Sequence, residues 1–125
     1  MSRRSERVEE LLRREIAGIL AREEVRDPRL KPSAAIGITG VRVTSDLSRA
    51  RVFYDVLSES LDPERVGQGL RAATPAIRSI LGKKVALRRT PELRFEFDES
   101  VGRGARMEEL LAELRTESPS EPESD

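Results

Sequence analysis

Apolar residues near the N-terminus recur every three or four positions: Val8, Leu11, Leu12, Ile16, Ile19 and Leu20. That spacing predicts an amphipathic helix over residues 5–25. Ser5 is its expected N-cap, with Glu6, Glu9 and Glu10 near the positive end of the helix dipole. Pro28 lies beyond its expected end, and "DPRLKPS" reads as a loop. The period then falls to two. Ile36 and Ile38 alternate in one phase and Val41 and Val43 in the other, so the side chains change face at Gly40, as at a β-bulge. "SDLS" is turn chemistry, and a second strand over 49–57 puts Ala50, Val52, Tyr54 and Val56 on one side, completing a hairpin.

Asp62, Pro63 and Glu64 form a helix start, followed by Val66, Leu70, Ala73 and Ile77 at helical spacing. Pro75 has no N–H for the carbonyl of Arg71, and its ring crowds that carbonyl, so a break or kink is expected there. Ile77, Ile80 and Leu81 carry a second apolar face to Gly82, the expected stop. A third strand follows, with Leu93, Phe95 and Phe97 on one face and Arg94, Glu96 and Asp98 on the other. Met107, Leu110, Leu111 and Leu114 fit a short helix, and "TESPSEPESD" has a disordered composition. The expected architecture is therefore α+β, in the order helix, strand, strand, broken helix, strand. One domain would occupy residues 1–115, with helices packed on a three-stranded sheet and a disordered acidic tail over 116–125.

Charge changes this picture. The 125 residues carry 23 basic and 23 acidic side chains. From Met107 onward, however, seven acids face one base, a net of −6, so the rest of the chain is +6. Residues 65–94 hold eight bases and one acid. A basic body with an acidic tail is the profile of a nucleic-acid binder. Many of these arginines would be solvated surface in any case. There is no Cys and no His, which removes disulfides, thiol nucleophiles, Ser–His–Asp triads and His/Cys zinc sites. No apolar run is long enough to cross a bilayer, and a secretory apolar region is missing, so a cytoplasmic protein is expected. No apolar stripe is left over after the core faces are assigned, so a monomer is expected.

Three short motifs take their meaning from context. "GQGLRA" matches G-x-G-x-x-A, but it falls inside a helix rather than after a strand, so a dinucleotide site is rejected. "GITG" matches G-x-x-G, yet it lies in a strand pattern and carries no charge. Glu96 and Asp98 could hold a hard cation or form an acid/base pair, but a solvated strand face explains them more simply. The basic run "RSILGKKVALRR" is the better candidate. Arg71, Arg78, Lys83, Lys84, Arg88 and Arg89 are the expected phosphate contacts, with Arg88 and Arg89 leading into the third strand. Arg3, Arg4 and Arg7 are candidate additions. Phe95 and Phe97 read as core, which leaves no stacking platform for splayed bases. Backbone and shape recognition of folded RNA fits better.

Those segments also resemble a known family. "RDPRL", "VTSDLSRARVFY", "IRSILGKKVALR", "PELRFEFDES" and "GARMEELL", in this order, resemble the ribosome-binding factor A family of bacterial small-subunit assembly factors. The resemblance implies a KH-like fold of the second type, with a helix–kink–helix in place of the G-x-x-G loop. The family's Ala-x-Gly kink corresponds here to Ala73, Thr74 and Pro75, with proline where glycine is usual. It further implies a non-catalytic protein without metal or cofactor. Such a protein binds free 30S subunits and 16S rRNA, supports 16S 5′-end processing, leaves before the subunits join, and is linked to growth in the cold. Assembly GTPases would be indirect partners. The competing readings are a general KH-type RNA chaperone, a protein-interaction adaptor, and, most distantly, a metal-dependent enzyme using Glu96 and Asp98.

Overall fold

The structure, a computed structural model, describes residues 3–100. The expected short helix at 107–114 and the acidic tail at 116–125 lie outside these residues. Helix α1 (Arg3–Ala21) turns Val8, Leu12, Ile16, Ile19 and Leu20 into the core, with Leu11 packed at its margin. It begins before Ser5, which is buried within the helix rather than capping it. Its end also comes earlier than the proline implied. Glu23 adopts a left-handed φ of 55°. The Glu23 N–H donates to the Leu20 carbonyl at 3.0 Å and the Glu24 N–H to the Ile19 carbonyl at 3.0 Å. These two bonds define a Schellman close, here built on a residue other than glycine.

Two 3-10 turns, Pro28–Leu30 and Ser33–Ala35, occupy the expected loop. Asp27 caps the first, accepting the Arg29 N–H at 2.9 Å, and the Arg29 guanidinium forks back onto the same carboxylate at 2.9 and 2.8 Å. The turn drives Leu30 into the core.

Strands β1 (Ile36–Val43) and β2 (Arg49–Val56) form the antiparallel hairpin. The register slips between Ile38 and Gly40, so the bulge falls where the change of phase placed it. Strand β1 is an edge, and Glu9 on α1 accepts the Val43 N–H at 3.0 Å, satisfying one donor that would otherwise face outward. Strand β3 (Glu92–Phe97) pairs parallel to β2, giving the order β1-β2-β3. Helix α2 (Pro63–Lys84) makes the crossover between β2 and β3. Asp62 caps it by accepting the Glu64 N–H at 3.2 Å.

The α+β class and the KH-like arrangement of helices on a three-stranded sheet are as expected. The second helix differs in detail. It is one element from Pro63 to Lys84, with Pro75 embedded in it rather than separating two helices, and it runs past Gly82. Pro75 and Arg71 both lie on the exposed side. A carbonyl that loses its partner on that side can be hydrated, which makes the proline tolerable. Thr74 Oγ1 donates to the Leu70 carbonyl at 2.8 Å, a back-bond within the same turn.

The "GQG" of the rejected nucleotide motif has a packing role. A Cβ at Gly67 would lie 2.5 Å from the Tyr54 hydroxyl, and one at Gly69 would lie 3.0 Å from Arg29 Cβ and Leu30 Cδ2. Two absent side chains thus let α2 close onto β2 and the first 3-10 turn. Tyr54 Oη completes the joint by donating to the Pro63 carbonyl at 2.9 Å. Ala50, Val52, Val66, Leu70, Ile77, Leu81 and Phe95 fill the layer between helices and sheet. Phe97, expected in the core, is instead 36% exposed at the sheet's end and meets Tyr54 edge-on at 5.7 Å.

Candidate nucleic-acid interface

The six bases singled out in the sequence fall into three environments. Lys83, Arg88 and Arg89 are exposed and make no ion pair among the described residues. Lys83 is on the last turn of α2, where a cation also complements the negative end of the helix dipole. Arg88 and Arg89 lie in the connection from α2 to β3, not in the strand itself, which starts at Glu92. They line a depression of about 280 Å³ together with Arg4 of α1 and the hairpin turn at Ser45, Asp46 and Leu47. Arg4 was a candidate addition, and the fold brings it to this spot. Arg3 and Arg7 do not line the depression.

Arg78 and Lys84 are committed within the protein. Arg78 donates from Nε to the Pro91 carbonyl and from a terminal nitrogen to the Thr90 carbonyl, both at 2.9 Å. This fork fixes the segment that carries Arg88 and Arg89 against α2. Arg78 thus positions this segment, with Nε and one terminal nitrogen engaged by backbone carbonyls. Lys84 reaches Glu24, just past α1, at 3.2 Å. Arg71 is exposed but stands apart. It is twelve residues before Lys83, about 18 Å along the helix axis. Of the triplet at 73–75, Ala73 and Thr74 are half-buried and Pro75 alone is exposed. Between Arg71 and Lys83 the exposed positions are Ala72, Pro75, Ala76, Ser79 and Gly82, a smooth uncharged strip with a base at either end.

Asp46 makes the depression less than uniformly basic. Its carboxylate accepts from Thr44 Oγ1 at 2.7 Å, Ser48 Oγ at 2.8 Å and the Ser48 N–H at 3.1 Å. These bonds hold its pKa down at about 2. All three bonds fall on Oδ1, so this oxygen is engaged by the turn it stabilises. Leu47, beside it, takes a left-handed φ of 60° and packs against the core.

The carboxylates considered as a catalytic pair are also occupied. Glu96 accepts both prongs of Arg51 at 3.0 and 2.8 Å, and this pairing lowers its pKa. Asp98, just past the strand, accepts from Thr39 Oγ1 at 2.6 Å and from the Ser100 N–H at 3.0 Å. Among the described residues no group of three or more acids, His or Cys is placed to hold a metal ion.

A family model described as ribosome-binding factor A matches residues 4–111 of the chain. A relative named ribosome-binding factor A from Halothermothrix orenii is 39% identical over 120 residues, covering 96% of this chain and 95% of its own. The crystal structure of ribosome-binding factor A from Thermus thermophilus superposes with a TM-score of 0.64 at 25% identity, covering 74% of this chain and 93% of its own. Coordinates of the Thermus thermophilus factor fitted into a cryo-EM map of its 30S complex superpose with a TM-score of 0.59 at 24% identity, covering 73% of this chain and 91% of that one.

Proposed function

The chain belongs to the ribosome-binding factor A family, and from that premise we propose that it is a late maturation factor of the 30S subunit, binding free 30S particles through 16S rRNA phosphates and supporting 5′-end processing before the subunits join. The observation that carries the reading is the basic rim formed by Arg4, Arg88 and Arg89 around one depression, with Lys83 exposed on the last turn of α2, five positions before Arg88. These bases come from three separate segments, are free of ion pairs among the described residues, and include two presented by the fork of Arg78. Unpaired, exposed guanidinium and ammonium groups on a fixed loop suit phosphate oxygens. The smooth strip on α2 lets an RNA backbone approach between Arg71 and Lys83.

The mechanism is differential binding. A rigid basic wedge stabilises the rRNA arrangement it fits best and needs no bond-breaking chemistry of its own. The protein acts as a monomer in the cytoplasm, where the particles it serves are built, and its link to assembly GTPases runs through the shared 30S substrate.

Titration of purified 30S subunits at increasing salt tests the reading. Replacing Lys83, Arg88 and Arg89 by Glu should weaken binding and reduce the slope of log K against log[salt] by about three, one per lost phosphate contact. Binding that ignores salt would overturn the phosphate reading in favour of a protein adaptor. Equal affinity for unrelated structured RNAs would point to a general KH-type chaperone.

A further inference from the structure

The helices cover one face of the sheet. On the other face, Arg42 of β1 is paired across the strands with Arg51 of β2, and Arg51 with Arg94 of β3. With strands about 4.8 Å apart, this row of three arginines spans about 10 Å. Like charges directly opposite on neighbouring strands destabilise a sheet. The row is only partly neutralised. Glu96 is bound bidentately by Arg51, and Arg94, 82% exposed, reaches the same carboxylate only at 3.6 Å. Arg42 has no ion-pair partner among the described residues. All three line a depression of about 860 Å³.

An aromatic ring stands beside the row. Phe53 is two residues along β2 from Arg51, on the same face, and the Arg51 guanidinium lies 5.1 Å from its ring centroid. Its partner on β1 is Gly40. A Cβ at Gly40 would meet nothing within 4 Å, and its φ is not positive, so neither crowding nor backbone strain demands glycine there. Gly40 and Arg42 border a depression shared with Glu6, Glu9, Glu10 and Arg13 of α1, so the β1 end of the row has acids nearby. Phe53 is half-buried, with Glu96 as its partner on β3, and the reading of Phe95 and Phe97 as core passed over it.

Arginines at strand spacing, with an aromatic ring about 7 Å further along the strand, suit a single strand of nucleic acid, whose phosphates and bases alternate at that scale. A double helix offers no free base face to such a ring. We propose that the uncovered sheet face is a second RNA site, taking a single-stranded segment with its phosphates on Arg42 and Arg94 and a base against Phe53. The site extends the rRNA-binding reading to a face of its own. With the basic rim, it would let one molecule hold a folded and an unpaired RNA segment together.

Fluorescence anisotropy of the full chain with a short labelled single-stranded RNA tests this. The double replacement Arg42→Gln and Arg94→Gln should weaken binding about tenfold at low salt and flatten the salt slope by about 1.4, the release expected from two single-strand phosphates. Phe53→Val should weaken binding at least about fivefold with the salt slope unchanged. Variants with wild-type far-UV circular dichroism that bind as tightly as wild type would overturn the proposal. So would single-strand binding lost on Lys83→Glu with Arg88→Glu but kept in every sheet variant. In that case the rim would be the sole RNA surface, and the 30S titration would judge the reading of the rim separately.

Discussion

Glu23 closes α1 in a conformation that L-residues other than glycine adopt only at a cost of about 1–2 kcal/mol. Glu23→Gly should therefore raise stability by about 0.5–1 kcal/mol, part of the gain being lost to the freer unfolded chain, read as a higher urea midpoint at unchanged m. Asp46 and Asp27 carry the clearest titration signature, each with a pKa of about 2. For Asp46 the cause is the Thr44 and Ser48 hydroxyls and the Ser48 N–H; for Asp27 it is Arg29. A folded pKa below the unfolded value means stabilisation that is complete above about pH 4 and fades as the pH falls toward 2. Carboxyl NMR titration should find both midpoints well below 3.8, the ordinary value. Midpoints at that value would mean that the turn bonds are absent in solution. At this scale the sequence was partly legible. Turn chemistry at residues 45–48 could be read, because Asp and Ser bond their own backbone. The left-handed Glu23 could not, because nothing about glutamate advertises a helix close. Phe53 was readable in principle. The alternation that put Ala50, Val52 and Tyr54 inside puts residue 53 outside, but the expectation that scarce aromatics belong to the core hid it.

Helix α2 illustrates how an element can override a local rule. A proline inside a helix costs about 3 kcal/mol, yet the burial of Val66, Leu70, Ile77 and Leu81 keeps the segment helical on both sides of Pro75. Pro75→Ala should stabilise the protein by about 1–3 kcal/mol in chemical unfolding; no gain would show that the helix already accommodates the proline without loss. The connection from α2 to β3 is set by Arg78. Arg78→Ala should cost about 1–3 kcal/mol by removing two charge-assisted bonds, and Arg78→Lys should recover little of it, because an ammonium cannot reproduce the fork. Amide exchange at residues 85–91 should speed up in both variants. The bulge at Ile38/Gly40 was legible because side-chain phase is a strict period of two, and slipping by one residue moves every side chain to the other face. The bounds of the helices were less so, because capping by backbone bonds leaves little trace in composition.

Across the whole molecule, the layers decide which basic surfaces are left uncovered. Two helices on one side of three strands leave a basic rim at the C-terminal end of α2 and an arginine row on the far face of the sheet. The basic run was visible in the sequence, but its division of labour was not. Arg78 is held by two backbone carbonyls and Lys84 pairs with Glu24 at the surface, while Arg4, more than eighty positions before Arg88, joins the rim. Such convergence depends on how α1 lies across the hairpin, which no local pattern encodes. The central claim is that the protein rides on free 30S particles through this rim. Sedimentation of cell lysate on a sucrose gradient, probing each fraction for this protein, tests that claim most directly. The expected result is co-migration with free 30S subunits, absence from 70S ribosomes and polysomes, and a shift to the top of the gradient when Lys83, Arg88 and Arg89 are replaced by Glu. Wild-type protein found only at the top at low and moderate salt, or spread equally through polysomes, would contradict it.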